Sequence, residues 1–158
     1  MSYDNDDNLT AKEYQALAEF RYQIRRFLHL SEEAANRAGV EARQYQFLLA
    51  LKGLIEQERV TIRDLAERMQ LRHHSVVGMV NRLVERKLIE RRRGEHDRRQ
   101  VYIHLTPKGE LLLRKLAVYH RGELEAFGPA LVRSLEALMR NGGSRIGTGE
   151  KTSAAIQA

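Results

Sequence analysis

Apolar residues return every three to four positions along most of this chain, and every second position in one short stretch. That pattern predicts helices around a single small β-hairpin. Residues 10–37 read as a long helix with Leu17, Phe20, Ile24, Phe27 and Leu28 along one stripe and Gly39 as its stop. A second helix is expected over 41–52, carrying Tyr45, Leu48 and Leu49 inward and Lys52 at its far end. Thr61 and Asp64 stand at capping-box spacing, ahead of a short helix whose apolar face is Leu65, Ala66 and Met69. Gln70-Leu71-Arg72 breaks it, and another helix follows to about Lys87 with Val76, Val80, Leu83 and Val84 inward. Two short helices across a tight turn form a helix-turn-helix.

Residues 88–93 read as a strand that begins apolar and ends basic, and Gly94-Glu95-His96-Asp97 as a turn. Residues 100–105 alternate, with Val101, Ile103 and Leu105 on one face and Tyr102 and His104 on the other. The pair is a hairpin with an arginine-rich tip. A helix-turn-helix that runs directly into such a hairpin is a winged helix. The fold class expected is therefore mainly α, with a small β-hairpin wing. Thr106-Pro107 open a further helix, since Thr caps well and Pro loses no needed donor at the first helical position. Leu112, Leu116 and Tyr119 line it. Gly128-Pro129 are expected to break or kink it, leaving a last short helix marked by Leu131, Leu135, Leu138 and Met139. From Asn141 the chain is rich in Gly, Ser and Thr and reads as a flexible tail.

Composition narrows the function. The 158 residues carry no cysteine, which excludes disulfides, cysteine zinc sites, iron–sulfur clusters and thiol switches. The longest apolar run, Phe47 to Leu51, is far too short to span a membrane, and the acidic first eight residues lack the apolar core of a signal peptide. A cytoplasmic location is the expectation. Net charge is +6, and most of it sits in one place: residues 72–99 hold nine basic and four acidic groups. A single charged helix is usually just a solvated face, but this cluster spans several predicted elements, which points to a polyanionic partner.

The second helix of a helix-turn-helix enters the major groove of duplex DNA with its first residues against base edges. Here those residues are Arg72, His73, His74 and Ser75, with Gly78 and Arg82 one and two turns on. Gly78 offers no side chain, either to let the backbone come close or merely for packing. Arg82 and Arg86 are candidates for phosphate, and Arg98 and Arg99 at the hairpin tip for the flanking minor groove. Asp97 would be repelled by phosphate, so its expected use is to hold a neighbouring arginine.

Other chemistries fare worse. There is no G-x-S-x-G, P-loop or dinucleotide fingerprint, and His96-Asp97 on a hairpin tip is a poor base for catalysis, so no enzyme is expected. His73 and His74 are adjacent and cannot converge on a metal, while His29, His96, His104 and His120 are scattered. No metal or other cofactor is expected, although a site assembled across the fold would make a metal-responsive regulator. Tyr22, Tyr45 and Tyr119 suit packing more than an aromatic ligand, and Arg21, Arg25 and Arg26 suit a carboxylate ligand or plain solvent equally. A winged helix used only for protein contacts would show an acidic or apolar recognition surface, against the basic one here.

Asp97-Arg98-Arg99 running into Leu105-Thr106 resembles the D-x-R…L-T wing pattern of the MarR family of bacterial transcriptional regulators. Leu83 with Lys87-Leu88-Ile89 resembles its helix-to-wing junction, Thr106-Pro107-Lys108-Gly109 the start of its fifth helix, and Gln44-Tyr45 the opening of its second. The resemblance covers about residues 10–140. It implies a homodimer whose helices at 10–38 and 106–140 form the interface, around a winged helix-turn-helix at 41–105, with a disordered acidic start at 1–9 and a flexible tail at 141–158. It also implies an inverted-repeat operator, most often repression, and release by a small aromatic or phenolic effector. By position, Asp97 and Arg99 match the wing pair and Ser75 a polar position that opens the recognition helix. Gly78 falls where relatives often place an arginine, so base readout is expected to differ, with His73 and His74 as substitutes. No pocket motif is matched, so no effector-binding residue is assigned.

Overall fold

A side-chain cap fixes the start of the short helix that follows Thr61. The Thr61 hydroxyl accepts from the Asp64 backbone N–H at 3.3 Å, and the Asp64 carboxylate accepts from the Thr61 N–H at 2.8 Å. Each satisfies a donor that the helix itself cannot reach. The computed structural model describes residues 9–54, 59–95 and 97–143. Its elements are α1 (Ala11–Arg37), α2 (Ala42–Gly53), α3 (Ile62–Met69), α4 (His73–Glu85), β1 (Ile89–Arg93), β2 (Val101–Leu105) and α5 (Pro107–Gly143). The expected acidic start, the tail from 144 and His96 lie outside the described residues.

The chain divides into two compact units. One is residues 29–122, and the other joins 9–28 with 123–143 among the described residues. In the first, β1 and β2 pair antiparallel with Ile89 opposite Leu105 and Arg91 opposite Ile103. The hairpin is tied back by the Ile103 N–H, which donates to the Val60 carbonyl at 2.8 Å. Phe47, Leu48, Leu51, Leu65, Val76, Val80, Leu83, Leu88, Ile89 and Ile103 are fully buried and form the core of this lobe. Leu49, expected inside, is instead exposed, on the same side of α2 as Lys52, which pairs with Glu110 of α5 at 2.8 Å.

The junction of wing and α5 is a close backbone approach. The Thr106 hydroxyl donates to the Lys87 carbonyl at 2.7 Å and accepts from the Gly109 N–H at 3.1 Å. Gly109 lies so close to β1 that a Cβ there would stand 1.9 Å from the Leu88 carbonyl oxygen. Only glycine fits without moving the backbone.

The second unit contains the rest of α1 and α5. Arg26 stacks over the Phe127 ring at 4.1 Å from its centre, and Gln23 donates to Glu19 at 2.7 Å. The expected interruption at Gly128-Pro129 does not occur, for α5 is one helix from Pro107 to Gly143 with Pro129 inside it. A proline removes a single hydrogen bond and strains the turn before it. Uninterrupted helical stretches on both sides, rich in Leu and Ala, carry the helix through.

Candidate nucleic-acid interface

Four buried side chains, Val76, Met79, Val80 and Leu83, seat α4 on the lobe. The opposite face is left to solvent, and there the sequence has placed Arg72, His73, His74, Ser75 and Arg82, all exposed. The turn before α4 is made by Gln70 in the left-handed conformation, with φ of 53°, and closed by the Leu71 N–H donating to the Ala66 carbonyl at 2.9 Å. Arg72 is the N-cap, extended and without a capping side-chain bond. The first N–H groups of α4 thus emerge beside three basic or polar side chains, an arrangement suited to an anion.

Gly78 resolves in favour of an open surface. A Cβ at that position would meet nothing closer than the Arg82 guanidinium at 3.7 Å, an ordinary contact. Packing does not demand the glycine, so its bareness leaves room on the outer face of α4 for the Arg82 side chain.

The wing tip is a turn from Asp97 to Gln100, in which the Gln100 N–H donates to the Asp97 carbonyl at 3.1 Å and the Gly94 N–H to the Gln100 carbonyl at 3.0 Å. Contrary to the expectation from the sequence, Asp97 pairs with no guanidinium among the described residues. Its carboxylate accepts from the backbone N–H of Arg99 at 2.9 Å. An aspartate that bonds two residues ahead shapes a turn, and this one leaves the Arg98 and Arg99 side chains exposed at the tip. Gly94 is required here too, since a Cβ would lie 2.7 Å from the Asp97 carbonyl oxygen.

Two residues of this surface escaped the sequence reading. Arg91 of β1 donates to the Asn81 side-chain oxygen at 2.5 Å, which ties the wing to the recognition helix. No local pattern announces a pair that forms across two elements. Arg92 is engaged by Glu90 on its own strand. Arg86 was expected on the DNA face, but its guanidinium donates to the Gln44 side-chain oxygen at 2.8 Å and to the Gly39 carbonyl at 2.5 Å.

The remaining candidates lie away from this surface or on the outer side of the hairpin. Tyr45 is buried and stacks on His120 at 4.6 Å between ring centres; burial raises its pKa. Tyr119 meets His120 edge-on, and Tyr22 is half exposed. His104 is held below the usual histidine pKa, first by desolvation and then by the Arg92 charge, with Glu90 opposing. Among the described residues, no three His, Asp or Glu side chains come together as a metal site, and no helix is long and apolar enough to cross a membrane.

A MarR family model matches residues 38–100, the stretch from the end of α1 to the wing tip. The fold agrees over a wider span. AbsC, a MarR family transcriptional regulator from Streptomyces coelicolor, superposes with a TM-score of 0.68 at 22% identity, covering 88% of this chain and 97% of that one. Residues 38–100 are thus similar to the MarR family, and the fold is the winged helix of these regulators. An organic hydroperoxide resistance transcriptional regulator of Bacillus subtilis (strain 168) is 38% identical over 71 residues, 45% of this chain. That match spans about half the length of the relative, 48%. A Staphylococcus aureus MepR–DNA complex gives a TM-score of 0.61 at 19% identity, covering 82% of this chain and 92% of that one.

Proposed function

We propose that this protein is a sequence-specific, double-stranded-DNA-binding transcriptional regulator that acts as a homodimeric, ligand-responsive repressor and carries out no catalysis. The observation that carries the reading is the conjunction of an outward recognition-helix face opened by Arg72, His73, His74 and Ser75 with a wing tip that presents Arg98 and Arg99. The first set lies where base edges would be read, and the second where the minor groove potential is most negative. In a two-fold dimer the recognition helices meet successive major grooves about 34–36 Å apart, which fits an inverted-repeat operator. The MarR family match over residues 38–100 and a neighbour solved on DNA support the same reading.

An effector has a place to bind within the lobe. A cavity of about 490 Å³ lies along α2 and the start of α5, lined by Leu49, Leu111, Leu113 and Ala117, with Arg114 as a cation and Lys52 already paired with Glu110. Its size and mixed lining suit a small aromatic acid or phenol. Such a compound regulates only if it binds the DNA-competent and incompetent states unequally.

The test is fluorescence anisotropy with duplex from upstream of the protein's own gene, against a shuffled duplex, over a range of salt. Tight binding to the native duplex that survives salt is expected. Arg99→Ala should weaken binding to both duplexes and flatten the salt slope by about 0.9 per lost phosphate contact. No binding to either duplex at low salt would return the protein-contact reading.

A further inference from the structure

We infer that Arg86 is a positioning residue that braces the recognition helix from behind rather than a contact to DNA. This goes beyond the regulator reading and rests on it. Arg86 is the C-cap of α4, at the opposite end from the residues proposed to read bases. Its guanidinium spans two acceptors on another part of the lobe: the Gln44 side-chain oxygen in the first turn of α2 and the Gly39 carbonyl in the turn before it. Its own carbonyl accepts from the Lys108 ammonium of α5 at 3.0 Å. One residue therefore joins the end of α4 to α2, to the α1–α2 turn and to α5.

Its acceptors are themselves fixed. Gln44 is buried, and its side-chain oxygen also accepts from the Glu41 N–H at 3.3 Å, so it cannot swing away without uncapping α2. Gly39 holds a φ of 77°, a left-handed conformation that aims its carbonyl in a set direction. A planar guanidinium satisfied by two such acceptors has a defined orientation, which a flexible ammonium would lack.

Leverage makes this matter for DNA. At 1.5 Å per residue, Arg86 is about 18 Å along the helix from His74. A tilt of about 10° at the Arg86 end moves the reading end by about 3 Å, as much as a whole hydrogen-bond length. A brace at the pivot thus sets whether residues 72–75 register with base edges. Phosphate contact is less sensitive to a shift of that size, because a long flexible basic side chain can follow the phosphate and charge attraction falls more slowly with distance than a hydrogen bond to a base edge.

The two roles give opposite results in one experiment. Anisotropy is measured for wild type, Arg86→Ala, Gln44→Ala and the double variant, on operator and shuffled duplex across salt, with Tm in parallel. The brace predicts that each single variant loses about tenfold or more in operator affinity, the scale of a hydrogen bond to a charged group. It also predicts that the double variant loses no more than either single one and that the salt slope stays unchanged. Equal loss on both duplexes with a slope reduced by about 0.9 per subunit makes Arg86 a phosphate contact and overturns the inference. So does a lowered Tm with the folded protein's affinity intact, which marks a role in stability alone. Should Arg86→Ala not fold, Arg86→Lys decides: it keeps the charge but cannot reach both acceptors, so retained operator affinity overturns the brace and lost affinity supports it. A wild type that binds no duplex overturns the regulator reading and the brace with it. A wild type that binds while Arg86→Ala binds equally well overturns the brace alone.

Discussion

The lobe of residues 29–122 and the helical arms of residues 9–28 and 123–143 treat their apolar side chains in opposite ways. Every buried hydrophobic residue among the described ones lies in the lobe. In the arms the buried residues are polar, Glu13, Gln23 and Ser134, while Tyr14, Val132 and Met139 stand 59%, 53% and 69% exposed. The lobe meets its own apolar stripes across α2, α3, α4 and the hairpin. Among the described residues the apolar faces of the arms are left uncovered, and a second copy of the chain would cover them.

The comparison breaks most visibly if the core of the lobe is emptied. Phe47→Ala should lower stability by about 3–5 kcal/mol, the usual result of truncating a fully buried aromatic. Chemical denaturation at two protein concentrations checks this, and the loss should be present at both. A loss below 1 kcal/mol would mean that the lobe is not self-supporting.

Gly109→Ala tests the seam between wing and α5. The added methyl meets the Leu88 carbonyl, so backbone must move, at about 1–3 kcal/mol. The hairpin should loosen first, read as faster amide exchange across Arg91 and Ile103 than in α2. Uniform protection across the lobe would show that the strain is absorbed elsewhere.

Met139→Glu sharpens the other half of the comparison. A charge on an exposed arm residue should leave the lobe's own unfolding unchanged but weaken self-association by about tenfold or more, since an unpaired charge in an interface is costly. Sedimentation across a dilution series reads this directly. Unchanged association would remove the arm face around Met139 from the dimer interface.

What the sequence disclosed follows the range of the interactions. The Thr61–Asp64 cap, the alternation in β2 and the Thr106-Pro107 start are set by residues within three or four positions of one another, and each stands where it was read. Asp97 was legible as a wing-shaping residue but not in its mode, because a backbone N–H two residues on is as near as any guanidinium. Pro129 misled because its penalty is local, whereas the helix that overrides it is long. The Asn81–Arg91 and Gln44–Arg86 pairs join residues 10 and 42 positions apart, so no periodicity or spacing could announce them.

The smallest effect expected lies on the hairpin, where the lobe meets solvent. His104 is half-buried on β2, and desolvation together with Arg92 lowers its pKa below the ordinary histidine value. The unfolded chain therefore binds a proton more readily than the folded lobe at this site. The stability contributed by a neutral His104 is complete above the ordinary histidine pKa. It declines as the pH falls from there through the lowered folded value, and is constant below it. His104→Gln, which cannot titrate, should remove this part of the acid dependence while changing stability little at neutral pH. Denaturation midpoints at pH 7.5 and at pH about 5 compare the two proteins. If the variant falls with pH as steeply as the wild type, the acid sensitivity of the lobe lies in other groups, and the hairpin face around His104 is as open to water as the arms.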